Sequence, residues 1–113
     1  MKPIYVAFRD KKLESAFDKL KDGKFQDKQL CKFIERAVKD LKKSPICGIK
    51  IQRRLWPKIY VQKYNITNLW KYDLPNGWRL IYTIKVDEVM ILNIILDWFD
   101  HKGYERKFGY KKR

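Results

Sequence analysis

Three runs of strand-forming residues, Leu69 to Leu74, Trp78 to Val86 and Val89 to Trp98, are separated only by Pro75-Asn76-Gly77 and Asp87-Glu88. Interruptions this short leave room for tight turns and nothing else, so the segment must fold as an antiparallel meander. The first turn reads either as a two-residue Asn-Gly loop or as a three-residue loop with Gly77 left-handed after a type I turn. The two registers put Arg79 on opposite faces of the sheet. In the three-residue register Leu74 faces Trp78 and Asp73 faces Arg79, and Trp70, Tyr72 and Leu74 share one apolar face with Trp78, Leu80, Tyr82 and Ile84. The two-residue register mixes charge into that face. Because a slip of one residue inverts every side chain of a strand, burial selects the three-residue loop.

That choice gathers Lys71, Asp73 and Arg79 on the opposite face. The third run is expected to follow the same alternation. Met90, Leu92, Ile94, Leu96 and Trp98 then join the core, while Asn93 and Asp97 extend the polar face toward Asp100, His101, Lys102 and Tyr104.

Upstream, Ile4 to Phe8 reads as a short strand, and Asp10 as the cap of a helix carrying Leu13, Ala16, Phe17 and Leu20 at helical spacing. Gly23 ends it. A second helix from about Asp27 to Lys43 places Leu30, Phe33, Ile34, Ala37, Val38 and Leu41 on one side, and Pro45 marks its exit. Residues 48 to 68 alternate cations with apolar residues in no fixed period and read as a basic, partly extended excursion, or one containing a short helix. Residues Asp100 to Tyr110 suggest a short terminal helix or tail. The expected fold is one α+β domain over residues 1–113. A strand and two helices pack on one face of a twisted antiparallel sheet of about four strands.

The formal net charge of +14, from 27 Lys and Arg against 13 Asp and Glu, points to a polyanionic partner. It is not confined to a tail: residues 1–56 hold 16 basic and 7 acidic residues, and residues 57–113 hold 11 and 6. Cys31 and Cys47 form neither a disulfide framework nor a metal-ligand motif, which indicates a reduced, cytoplasmic chain without metal or other cofactor. The longest apolar stretch, Val89 to Leu96, is interrupted by Asn93 and is too short to span a membrane.

The residues converging on the polar face suit one chemistry. Cleavage of RNA through its own 2′-OH needs a base for that hydroxyl, cations for the phosphate and an acid for the departing 5′-oxygen. Arg79 offers a planar fork for a phosphate, and Lys71 a second charge. His101 is the side chain whose ordinary pKa lies nearest neutrality. Asp73 serves as a base or orients Arg79, and Tyr104 stacks on a nucleobase or donates a proton. Lys50, Arg53, Arg54, Lys63, Lys102, Arg106 and Lys107 are the candidate RNA contacts.

The segment Leu69-Trp-Lys-Tyr-Asp-Leu-Pro-Asn-Gly-Trp-Arg-Leu-Ile-Tyr82, with the later Asp100-His-Lys-Gly-Tyr-Glu-Arg106, resembles the RelE/ParE toxin superfamily, and most closely its RelE-like branch. The resemblance covers roughly residues 66 to 108. It implies a ribosome-bound, metal-independent endoribonuclease that cuts mRNA in the A site and is neutralised by a cognate, small acidic antitoxin. It further implies that Arg79 stabilises the transition state, that Lys71 matches a strand lysine of the family, and that His101 and Tyr104 correspond to its C-terminal histidine or tyrosine residues. Asp73 stands where the family's best-known member has a basic residue, which leaves the general base open between Asp73 and His101. Two rival readings remain: a ParE-like inhibitor of gyrase, and a module of the same fold that binds RNA without cutting it.

Overall fold

Asp10 begins the helical part of the chain by accepting a hydrogen bond from the Leu13 amide at 2.9 Å, the side-chain cap that its sequence position suggests. The computed structural model describes residues 2–109. Strand β1 (Ile4–Phe8) leads into α1 (Lys11–Leu20) and α2 (Phe25–Lys43), then the two-residue strand β2 (Ile49–Lys50) and α3 (Lys58–Tyr64). The meander follows as β3 (Trp70–Asp73), β4 (Arg79–Val86) and β5 (Ile91–Phe99), and α4 (His101–Phe108) ends the described chain. Tyr110, the last residue of the expected tail, lies outside the described residues.

The fold is α+β, with two departures from expectation in its sheet. Among the described residues there are five strands in the order β1-β5-β4-β3-β2, and β1 runs parallel to β5, so the sheet is mixed. Side-chain alternation specifies a strand but not its neighbour. The parallel pairing needs the long return through both helices and the meander. Strand β2, too short to show a period, pairs with β3 at Ile49–Lys71 and Lys50–Trp70.

Helix α2 packs Leu30, Ile34, Ala37 and Leu41 against Leu74, Leu80, Tyr82 and Ile95, with Leu13 of α1 completing this first core. Trp70, Tyr72, Trp78, Ile84 and Trp98 border it, as the three-residue register requires. Tyr82 is fully buried, and its hydroxyl donates to Pro45 O at 2.7 Å and accepts from Gly48 N at 3.2 Å. A Cβ at Gly48 would stand 2.5 Å from both Lys71 O and the Tyr82 hydroxyl, so only glycine lets the chain cross this close.

The third strand departs from simple alternation. A bulge between Ile81 and Tyr82 pairs Ile81 with Asp97 but Tyr82 with Ile95, so Leu96 is the extra residue. The faces therefore exchange at that point. Ile95 enters the first core, whereas Leu96 and Ile94, expected there, belong to the other face. Asn93 is buried on the helix side, donating to Tyr5 O at 3.1 Å, and does not extend the polar face. Nor does Asp97 reach the candidate site. It accepts from Arg9 Nη1 at 2.8 Å and from the Tyr60 hydroxyl at 2.7 Å.

The excursion contains α3, closed by Asn65 in the left-handed conformation at φ 50°. It covers the second sheet face. Ile51, Tyr60 and Ile66 join Leu69, Ile81, Leu96, Tyr104 and Phe108 in a second core beneath α3 and α4. The sheet is thus covered on both faces, and the β3–β4 hairpin end, where Asp73 is exposed, is one of the places where its polar residues reach solvent. No helix among the described residues is long and apolar enough to cross a membrane.

Three tyrosines link these layers. Burial foremost, and next the hydrogen bond to Asp40, push the Tyr72 phenol up to about 12. Burial likewise raises Tyr60, with Asp97 adding to it, and raises Tyr82. An elevated native pKa means that the neutral phenol favours folding. The associated stability is complete below the unfolded value of about 10 and is lost as pH rises through the native one. Ultraviolet difference titration should therefore show part of the chain's phenol absorbance appearing only together with loss of near-ultraviolet circular dichroism, above pH ~10. A Tyr72→Phe variant should lose stability less steeply between about pH 10 and 12.

Candidate functional site

The turn that closes the β3–β4 hairpin fixes the site. Leu74 N donates to Trp78 O at 2.8 Å, and Asp73 stands opposite Arg79, as the three-residue register predicts. Its backbone differs from the type I turn expected. Both Asn76, at φ 62°, and Gly77, at φ 78°, are left-handed, and Trp78 N donates weakly to Pro75 O at 3.4 Å. Asn-Gly at two positive-φ positions is the pairing favoured in type I′ hairpins, whose twist matches that of the strands.

Lys71 and Asp73, two residues apart on β3, project from the same face. Lys71 Nζ lies 3.3 Å from Asp73 Oδ1, and Arg79 Nε lies 3.7 Å from the same oxygen. The Arg79–Phe99 pairing carries the end of β5 to this point. There Asp100 Oδ1 accepts from Gly103 N at 2.7 Å, caps α4 and sets His101 in its first turn. A Cβ on Gly77 would come within 3.7 Å of His101 Cβ, so turn and helix nearly touch.

Arg79 is the centre of the arrangement. Its Nη1 donates to Gly77 O at 2.9 Å and lies 3.4 Å from His101 Nδ1. Its guanidinium carbon is 4.8 Å from the centroid of the Tyr104 ring, with Lys71 Nζ 5.8 Å from that centroid. The ring face attracts both cations. Arg79 Nε is enclosed without a hydrogen-bond partner among the described residues, since Asp73 is beyond bonding distance.

Four of the five expected catalytic residues, Lys71, Asp73, Arg79 and His101, meet with their polar groups toward one another. Tyr104, the fifth, lies beneath them. Its ring is 4% exposed and covered by Arg79 and Lys71, because α4 packs it into the second core beside Phe108. It supports the cations and offers no open face to a nucleobase. Glu105 enters the site unanticipated. Its Oε2 lies 3.2 Å from His101 Nε2. The signal was present in the sequence as an i,i+4 pair, visible only once residues 101–108 are read as a helix.

The expected RNA contacts divide. Lys50 is exposed on β2 beside β3, and Lys102 is exposed next to His101. Arg106 is exposed on the same helix, whereas Lys107 leans over the Tyr60 ring at 5.5 Å. Arg53 lies 5.1 Å from the Trp56 ring, and Arg54 Nε donates to Gln52 at 3.0 Å. Lys63 sits by Tyr64, the ring that Arg9 also overlies, and is grouped with the Arg9–Asp97 pair instead of the hairpin cations.

No family model matches the chain, and neither the curated proteins nor the solved structures yield a match. Chemistry must therefore be read from the geometry. Arginine only donates and ionised glutamate only accepts, so neutral His101 between them carries its proton on Nε2 and turns the Nδ1 lone pair to Arg79. Nitrogen-resolved NMR of the labelled histidine should show this tautomer predominating in the neutral ring. Glu105→Ala should bring the opposite tautomer into the mixture, and an unchanged spectrum would deny Glu105 its hold on the ring.

Proposed function

We propose that this chain is an endoribonuclease that cleaves mRNA on the ribosome through attack by the RNA's own 2′-OH, acting as the toxin of a RelE-like toxin–antitoxin pair. The observation that supports it most is the guanidinium of Arg79, stacked on Tyr104 at 4.8 Å amid Lys71, Asp73 and His101 and left with an unpartnered Nε. Its fork and the Lys71 ammonium bind the scissile phosphate and gather the charge that develops on its oxygens. When the fork turns to the phosphate, Nδ1 of His101 is released to take the 2′-OH proton. The 2′-oxygen bonds to phosphorus as the bond to the 5′-oxygen breaks, and water protonates the leaving oxygen. The products are a 2′,3′-cyclic phosphate and a 5′-hydroxyl. Asp73, at the outer end of the hairpin, holds both cations in place. The reading implies a cytoplasmic protein with a small acidic antitoxin as partner.

One feature favours the non-cutting alternative: His101 Nδ1 already faces Arg79 instead of an open position. Single-turnover cleavage on programmed ribosomes, with binding measured separately, distinguishes them. Arg79→Ala should lower the rate on the order of 10² to 10³, the usual cost of a lost transition-state contact. His101→Ala should lower it on the order of 10² to 10⁴. Asp73→Asn should cost about 10-fold or less, as loss of an exposed ion pair does. Parental protein that binds ribosomes but yields no cleavage product would leave only RNA binding. In cells, growth arrest that begins with DNA synthesis while translation continues would favour gyrase as target.

A further inference from the structure

Helix α2 carries Lys28, Lys32, Arg36, Lys39 and Lys43 at steps of four, four, three and four residues. At about 100° per residue these cations fall within roughly 80° of the circumference, in a row about 22 Å long. The row is centred opposite Leu30, Ile34, Ala37 and Leu41, which bury the other side of the helix in the first core. It therefore faces away from the sheet. The hairpin site lies on the far side of that sheet.

None of the five cations makes an ion pair within 4 Å among the described residues, although the helix contains three acids. Two of those acids are engaged elsewhere. Asp27 accepts from Lys24 N at 3.1 Å, and Asp40 accepts from the Tyr72 hydroxyl. Glu35 adjoins the row. With it and Asp40, the last four cations line a shallow concavity of about 350 Å³. Like charges three and four residues apart weaken an isolated helix, so the row costs stability unless a polyanion neutralises it.

Three observations select the polyanion. The apolar side of α2 is already buried, and Phe25 alone is too little apolar surface to hold the helix in a lipid surface. Unpaired single strands are held by cations interleaved with rings, yet the row has one exposed aromatic, Phe25 at its amino end. A straight series of cations at intervals of about 5–6 Å suits a regular sugar–phosphate backbone.

We propose that the outer face of α2 is a second RNA interface, which grips the backbone of double-stranded RNA while the hairpin face takes a single strand. The choice of RNA rests on the nuclease reading. The two faces point in opposite directions, so the partner is a folded RNA that reaches both sides of the protein.

The test is the salt dependence of affinity for a blunt 20-base-pair RNA duplex, using the whole chain and a variant combining Lys28→Gln, Lys32→Gln, Arg36→Gln and Lys39→Gln. Glutamine retains helix propensity, and circular dichroism verifies the fold. The slope of log affinity against log salt should fall by about 3 to 4, and affinity near physiological salt by at least about 10-fold. Arg79→Ala, on the other face, should leave the duplex slope unchanged. An unchanged slope in the four-site variant would overturn the proposal. So would a loss seen equally with a single strand of the same length, or seen only with phosphatidylglycerol vesicles. Parental protein that binds the duplex in this way yet never cleaves mRNA would refute the nuclease and leave the α2 interface standing.

Discussion

Everything at the candidate site depends on the hairpin closing with three residues between Leu74 and Trp78. Asn76 and Gly77 both adopt positive φ there, which glycine does without strain and asparagine more readily than most residues. A one-residue slip of β4 against β3 would send Leu80 and Tyr82 to the α3 side and Arg79 into the first core. An unpaired guanidinium under α2 is far costlier than a strained turn. The burial that anchors α2 and the position of the arginine are therefore one constraint.

The alternation along β3 and β4 was legible because both strands follow the pleat without interruption: Trp70, Tyr72 and Leu74 against Trp78, Leu80 and Tyr82. Strand β5 was not. A bulge adds one residue without a compositional mark, and Ile94, Ile95 and Leu96 are all apolar, so a reading by period has no means of locating the exchange of faces. The consequence is local but real. Asp97 leaves the expected polar surface for a structural bond with Arg9 and Tyr60, two residues far from it in sequence.

The site shows the same division. Lys71, Asp73 and Arg79 follow from register, and His101 follows from where β5 must end. The burial of Tyr104 was not legible because it depends on the excursion, whose alternating cations and apolar residues concealed a covering layer. Tyr60, Ile51 and Ile66 supply the apolar part of that layer, while Arg53, Arg54 and Lys58 remain at its surface. A basic segment can be read as a ligand grip from its charges. That it also roofs a second core appears only when its apolar residues have a sheet face to meet.

That covering layer also explains why so large a charge excess is compatible with a stable fold. The acids are spent at points where backbone or buried groups require them: Asp10 and Asp100 at helix starts, Asp87 in the β4–β5 turn, Asp97 on Arg9 and Tyr60, Asp40 on Tyr72. The acidic minority thus shapes the chain, and the cations are left to shape its field. Because both sheet faces are roofed by helices, two of its cationic surfaces, the row on α2 and the hairpin end around Arg79, lie apart. A polyanion that satisfies both must be large relative to the domain and folded around it, and a short linear strand can answer only one.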